Sequence, residues 1–184
     1  MEGWIIPVII GVVLLWAIVI YNKFVSLRAQ GDSSWSDIDV QLKRRYNLIP
    51  NLVETVKGYA THEKETLEQV VKARQLGIDA STVQDQAAAE GSLATALRQI
   101  FALSEAYPDL KASTNFLELK TQLSEIEDAI QNARRYYNAV IRDYNTKVDS
   151  FPDMAIARIF SFKTRTYFEL EDAGERNTPQ VKFR

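Results

Sequence analysis

The sequence contains no cysteine and a single histidine, His62. The first absence removes disulfides, thiolate metal ligation and thiol catalysis. It leaves the compartment open, since reducing and oxidising environments both tolerate Cys-free chains. The second rules out every multi-histidine metal site. Seven Gly and five Pro in 184 residues are too few for a loop-rich or all-β design. Neither sign of charge dominates: 22 Lys and Arg stand against 24 Asp and Glu, a net charge of −2. No long-range field therefore draws the chain to nucleic acid or to an anionic surface. The length suits one domain plus an anchor.

What is present begins with a run free of charge. Trp4 to Tyr21 (WIIPVIIGVVLLWAIVIY) carries no Asp, Glu, Lys or Arg. As a helix it spans roughly 27 Å, close to the ~30 Å hydrocarbon core of a bilayer, and Phe24, Val25 and Leu27 can extend it. Trp4 and Tyr21 bracket the run, where amphipathic rings favour the interface. Pro7 falls in the first turn, where its missing N–H is best tolerated. Met1, Glu2 and Gly3 are not a basic leader and no A-x-A cleavage site follows, so the run reads as an uncleaved anchor. Lys23 and Arg28 follow the span and no basic residue precedes it. By the positive-inside tendency the short N-terminus is expected outside a single-pass cell membrane protein and the C-terminal part in the cytoplasm.

Beyond the span, apolar residues recur at heptad spacing. One series runs Trp35, Leu42, Ile49, Val56, Glu63, Val70; its companion runs Ile38, Arg45, Leu52, Tyr59, Thr66, Ala73. Tyr46, Val53, Ala60 and Leu67 widen the stripe, as expected for a helix buried in a bundle. The apolar phase holds across Pro50, which predicts a kinked but continuous helix from about Ser34 to Leu76. A second helix is predicted over Thr82–Ala106, with Ser81 and Gln84 at capping-box spacing. The third has the cleanest pattern: Phe116, Leu123, Ile130, Tyr137, Tyr144 and Phe151 fall seven apart, with Leu119, Ile126, Ala133 and Val140 between them. Asn115 and Glu118 are placed to cap its start. Ser150, Pro152 and Asp153 open a short helix to about Phe160. Phe162, Phe168 and Leu170 then look like anchors for a tail that frays beyond Gly174. The predicted fold is all-α: a single N-terminal transmembrane helix, then an elongated antiparallel bundle of three long helices with a short C-terminal helix and tail. The divisions are anchor 1–30, bundle 31–160 and tail 161–184.

With these elements placed, the block WSDIDVQLKRRYNLIPNLVETVKGYATHEKETLEQVVKAR (Trp35 to Arg74) resembles the bacterial LemA family. Trp35, Asp37, Gln41, Arg44, Arg45, Pro50, Asn51, Leu52 and His62-Glu63 stand where that family's pattern would put them. So do Phe151-Pro152, Phe160, Phe162, Tyr167-Phe168-Glu169 and the closing Pro179, Val181 and Phe183. Thr166 departs from it, standing where relatives often carry proline. The resemblance implies a helical bundle on a single span with its short N-terminus outside, and it implies no particular reaction.

Candidate chemistry is sparse. His62-Glu63 begins like a zinc-protease helix, but position 66 is Thr, so the second ligand is missing. A di-iron bundle needs paired Glu-x-x-His units, which one histidine cannot supply. Lys43-Arg44-Arg45 would splay over about 200° of helix and make no single patch. Asp37 and Asp39 point to different faces and are no acid–base pair. Tyr137, Tyr144 and Phe151 read as core rather than as a cofactor box. No phosphate-binding glycine loop or serine elbow is present. The expectation is therefore no catalytic, metal or cofactor-binding residue, no cofactor, no small-molecule substrate and no nucleic acid.

Two seam positions are charged, Arg45 and Glu63. Arg45 is predicted to meet a carboxylate from another helix and so to fix register. Helix lengths raise a further expectation. At ~1.5 Å per residue the first bundle helix would be about 65 Å long and the second about 37 Å. The membrane-proximal stripe Trp35, Ile38, Leu42, Arg45 and Tyr46 would then lack a helical partner. Either the tail folds back over it, or it is an interaction surface for other copies or a membrane protein partner. The function expected is a non-enzymatic scaffold or self-assembling module at the lipid bilayer. The alternative is an envelope sensor or an accessory subunit of a membrane enzyme.

Overall fold

A computed structural model describes residues 4–169. Among the described residues all regular structure is helical: α1 (Ile5–Tyr59), α2 (Lys64–Asp79), α3 (Val83–Leu103), a 3₁₀ turn (Ser104–Ala106), α4 (Pro108–Lys111), α5 (Thr114–Asp149) and α6 (Asp153–Ile159). The fold is all-α, as expected. The expectations for Leu170, Gly174, Pro179, Val181 and Phe183 lie outside the described residues.

The span and the first bundle helix are one element. α1 runs 55 residues without a break, about 83 Å at the usual rise. It passes Pro50, as the unbroken phase required, but it ends at Tyr59 and not at Leu76. The stop falls where the seam turns polar, at Glu63 and then Thr66, while Ala60 at the bend stays buried. Residues 60–63 form the bend, with Glu63 N–H bonded to the Ala60 carbonyl at 3.2 Å. Pro50 is tolerated for a reason that the structure supplies. Its missing N–H leaves the Tyr46 carbonyl without an i+4 donor, and Arg74 Nε, reaching over from α2, donates to that oxygen at 2.8 Å.

Two caps sit differently from their sequence placement. Thr82 and not Ser81 caps α3, accepting from the Asp85 N–H at 3.1 Å and donating to Asp85 Oδ2 at 2.7 Å. α5 begins at Thr114, so Asn115 lies inside it. Along α5 the seam holds: Phe116, Leu123, Ile130, Tyr137 and Tyr144 are each at most 4% exposed. Phe151 does not join them. α5 ends at Asp149, the seventh-residue step no longer returns to one face, and Phe151 is 84% exposed.

The chain forms two compact units. One draws on residues 4–40 and on Gln131–Tyr167, the other on Gln41–Ile130 and residues 168–169. In the first, Ile20, Phe24 and Leu27 of α1 pack with Tyr144 and Val148 of α5 and Ile156 and Ala157 of α6, with Ala17 and Phe162 against them. Phe24 stacks on Phe162 at 4.9 Å and meets Tyr144 edge-on at 6.1 Å. The extended segment after α6 is held by Asn145, whose side-chain amide bonds both the carbonyl and the N–H of Arg165 at 2.8 Å. The Tyr137 hydroxyl donates to the Thr166 carbonyl at 2.9 Å. Arg165 then crosses α1 at Gly31 to reach Asp32 Oδ1 at 2.8 Å. A Cβ at residue 31 would stand 2.9 Å from the Arg165 guanidinium, so glycine there lets that side chain lie close against α1. α6 closes with Ser161 at φ 57°. Phe162 N–H bonds the Ala157 carbonyl and Ser161 N–H the Arg158 carbonyl, the paired bonds of a Schellman ending.

In the second unit α2 and α3 form a hairpin that buries Leu67, Val70 and Ala73 with Leu93, Leu97 and Ile100. Leu42, Ile49, Leu52 and Val56 of α1 are buried here too, as are Phe116, Leu123 and Ile130 of α5. Phe101 meets Phe116 edge-on at 6.3 Å, with Lys120 Nζ 5.7 Å from the Phe101 ring centre.

Candidate functional site

A guanidinium at a core position has to be paired, because its desolvation is not otherwise offset. Arg45 of α1 is 5% exposed. Its Nη1 lies 3.0 Å from Glu90 Oε2 of α3 and 3.0 Å from Glu127 Oε2 of α5. The carboxylate expected from another helix is thus present twice. Next along α1, the Tyr46 hydroxyl donates to Glu90 Oε1 and accepts from Gln86 Nε2 at 2.7 Å. The ring fits because Gly77 of α2 has no Cβ; one added there would lie 2.7 Å from Tyr46 Cζ. Burial pushes the Glu90 carboxyl above its ordinary value, against the pull of Arg45 and of the Tyr46 hydrogen bond. Tyr46 is pushed far up, by burial first and then by the Glu90 charge, so its hydroxyl stays a donor.

This cluster ties α1, α3 and α5 together, and each of its groups is engaged. Arg45, Tyr46, Gln86 and Glu90 are at most 8% exposed, which closes them to a substrate. Glu90 and Glu127 converge on one guanidinium nitrogen, so the two carboxylates share a single positive charge. Among the described residues no group of three or more His, Asp or Glu side chains is placed to hold a metal ion. Two open depressions in this unit each contain a single carboxylate and no histidine: one is lined by Tyr59, Asp109 and residues 112–115, the other by Thr114, Leu117, Glu118, Thr121 and Gln122. His62 is exposed in the 60–63 bend, and Lys43 and Arg44 face outward while Arg45 turns in.

The stripe proposed from sequence as an interaction surface is covered by the chain itself. Ile38, Leu42, Arg45 and Tyr46 are buried, and Trp35 is half-buried with its ring 5.5 Å from Tyr137. The length argument failed because α5 is 36 residues, about 54 Å, and supplies partners to Trp35 in one unit and to Arg45 in the other. The geometric motive for additional copies at that stripe therefore disappears.

Exposed apolar surface lies elsewhere. From Trp4, just before α1, to Tyr21 the large apolar side chains are 37–67% exposed, Ile20 excepted. This is the one stretch among the described residues long and apolar enough to cross a membrane. A second apolar group stands on the α5–α6 turn and α6, with Phe151 84%, Ile159 71% and Phe160 52% exposed. Sequence reasoning missed it by extending the α5 seam one step too far, although Pro152 marked the break.

The LemA family model matches residues 34–183. The chain is 29% identical over 189 aligned positions to magnetosome protein MamQ 2 of Paramagnetospirillum magneticum, covering 88% of this chain and 70% of that protein. It is 28% identical to magnetosome protein MamQ of Magnetospirillum gryphiswaldense over the same shares. Protein LemA of Metamycoplasma hominis is 30% identical over 120 positions, 63% of this chain and 53% of that protein.

Proposed function

The chain belongs to the LemA family, and on that premise we propose that it acts as a membrane-anchored, non-enzymatic scaffold. One observation carries the reading: the lipid-length apolar helix continues without a break into the packed bundle. Residues 5–16 of α1 expose apolar side chains on all sides, which water disfavours and hydrocarbon does not. One heptad later the same helix is buried among α5 and α6. An anchor made in this way holds its cargo at a fixed height and orientation, as a scaffold needs and a loosely tethered enzyme does not. The saturated cluster at Arg45 supports the same reading, since it fixes helix register and leaves no reactive group open. The MamQ and LemA relatives are named for the magnetosome and for the family, not for a reaction.

In this reading Lys23 and Arg28 hold the bundle on the cytoplasmic side, and the solvent faces of the bundle meet protein partners. Crosslinking mass spectrometry in native membranes tests it. Contacts among copies, or with several proteins, are expected; a single stoichiometric enzyme partner would instead make this an accessory subunit. Release of the full-length chain from membranes by alkali would overturn the anchor.

A further inference from the structure

The apolar group on the α5–α6 turn and α6 stands beside the span. Tyr21, the last residue of the uncharged run, has its ring 4.8 Å from Phe160 and 5.7 Å from Phe162. Ala17, one turn deeper in the run, already packs against the core that α6 helps to build. α6 and its neighbours are therefore level with the last turn of the apolar run. The distance from Ala17 to Tyr21 is about 6 Å along the helix, within the ~5–10 Å to which interfacial segments sink into the headgroup and acyl boundary.

The side chains at that level divide as an interfacial element requires. Ile156 and Ala157 face the protein core, while Phe151, Ile159 and Phe160 are the exposed apolar members. Lys23, two residues after Tyr21, and Arg158 and Lys163, which flank Ile159 and Phe160 in the chain, are exposed, with stems long enough to lie along apolar surface and reach phosphates. Among the described residues the acidic groups of this turn and helix are Asp149, exposed, and Asp153, which is paired with Lys147. Cations thus outnumber carboxylates on the rim. Phe151 at 84% exposure is otherwise unexplained, because a large aromatic so open to water gains nothing from folding.

Resting on the anchor reading above, we infer that α6 and the turn before it form a second membrane contact: Phe151, Ile159 and Phe160 insert into the interface of the bilayer that α1 crosses, ringed by Lys23, Arg158 and Lys163. The span fixes height, and the inserted rim resists tilting and rotation of the bundle about it.

The absence of native cysteine makes the test direct. Phe151→Cys, Ile159→Cys and Phe160→Cys variants of the full chain each carry a nitroxide in nanodiscs of phosphatidylcholine and phosphatidylglycerol. Collision with oxygen, which partitions into lipid, is compared with collision with a water-soluble nickel chelate. Leu14→Cys reports the span itself and Glu68→Cys an aqueous surface. The expected result is oxygen over nickel at all three rim positions, more weakly than at position 14, with the reverse at position 68. Nickel access at the rim with oxygen access at position 14 overturns this contact and leaves the anchor intact. Nickel access at position 14 overturns both. Protection from both reagents with spin–spin broadening assigns the face to a second copy and also overturns the inference.

Discussion

Pro50 and Arg74 should be energetically coupled, although one lies in α1 and the other in α2. The proline removes the donor for the Tyr46 carbonyl, and Arg74 Nε replaces it at 2.8 Å. A hydrogen bond from a charged donor contributes about 1.5–3 kcal/mol net, and the half-buried position sets the expectation near the low end. Arg74→Met, which keeps most of the apolar stem, should therefore cost about 1.5 kcal/mol. In a Pro50→Ala background the residue-50 N–H can reach the same carbonyl, so Arg74→Met should cost at least about 1 kcal/mol less. Pro50 is exposed, and its replacement alters little packing. Pro50→Ala alone should stabilise, by up to about 3 kcal/mol from helix propensity less the entropy that proline removes from the unfolded chain. The assay is urea unfolding of the full chain in mild detergent, followed by far-UV circular dichroism for the four members of the cycle. Equal cost of Arg74→Met in both backgrounds would refute the account.

Glycine replacements should separate by position. Gly77→Ala drives a Cβ against the Tyr46 ring and should lower stability by about 1–3 kcal/mol, whereas Gly58→Ala meets nothing within 4 Å and should gain up to ~1 kcal/mol from helix propensity. Ser161→Gly relieves a left-handed residue at the Schellman ending and should raise stability by about 1 kcal/mol in the same unfolding assay. Glu90 makes a prediction about pH. Its folded-state pKa is raised, so its favourable contribution is complete below the unfolded carboxylate value of about 4.3 and is lost as pH rises through the folded value. The melting temperature of the native chain relative to Glu90→Gln should accordingly fall as pH climbs from about 4 and then level off; a relative rise over that interval would contradict the burial assignment.

The sequence disclosed most where one physical demand was sustained over many residues. The uncharged run, the α5 seam as far as Tyr144 and the unbroken phase at Pro50 each extend over several turns, and each is helical in the structure. The partner of Arg45 was foreseeable in kind, since a buried cation must be met, but not in identity, because Glu90 and Glu127 carry no sequence mark. Boundaries were harder. The bend at residues 60–63 was written in Glu63 and Thr66, two polar seam positions in succession, yet a single charge such as Arg45 looks the same in sequence and turns inward. Arg74 and Gly77 could not be assigned in advance, because their roles exist only once α2 folds back on α1. Phe151 shows the converse error: an apolar residue at the right interval, placed just beyond the end of its helix.

On the anchor reading, an uninterrupted α1 also makes the passage from span to bundle a phase-sensitive joint. Each residue added to or deleted from an α-helix rotates the remainder of that helix by about 100°. Between Tyr21 and Phe24 there is no loop to absorb such a change. A single insertion there would swing Phe24 and Leu27 away from α5 and α6, whereas seven residues would restore the azimuth and lift the bundle by about 10 Å. Changes in the length of the run between Pro7 and Phe24 should be tolerated only in steps close to a whole number of helical turns, such as about 7, 11 or 18 residues.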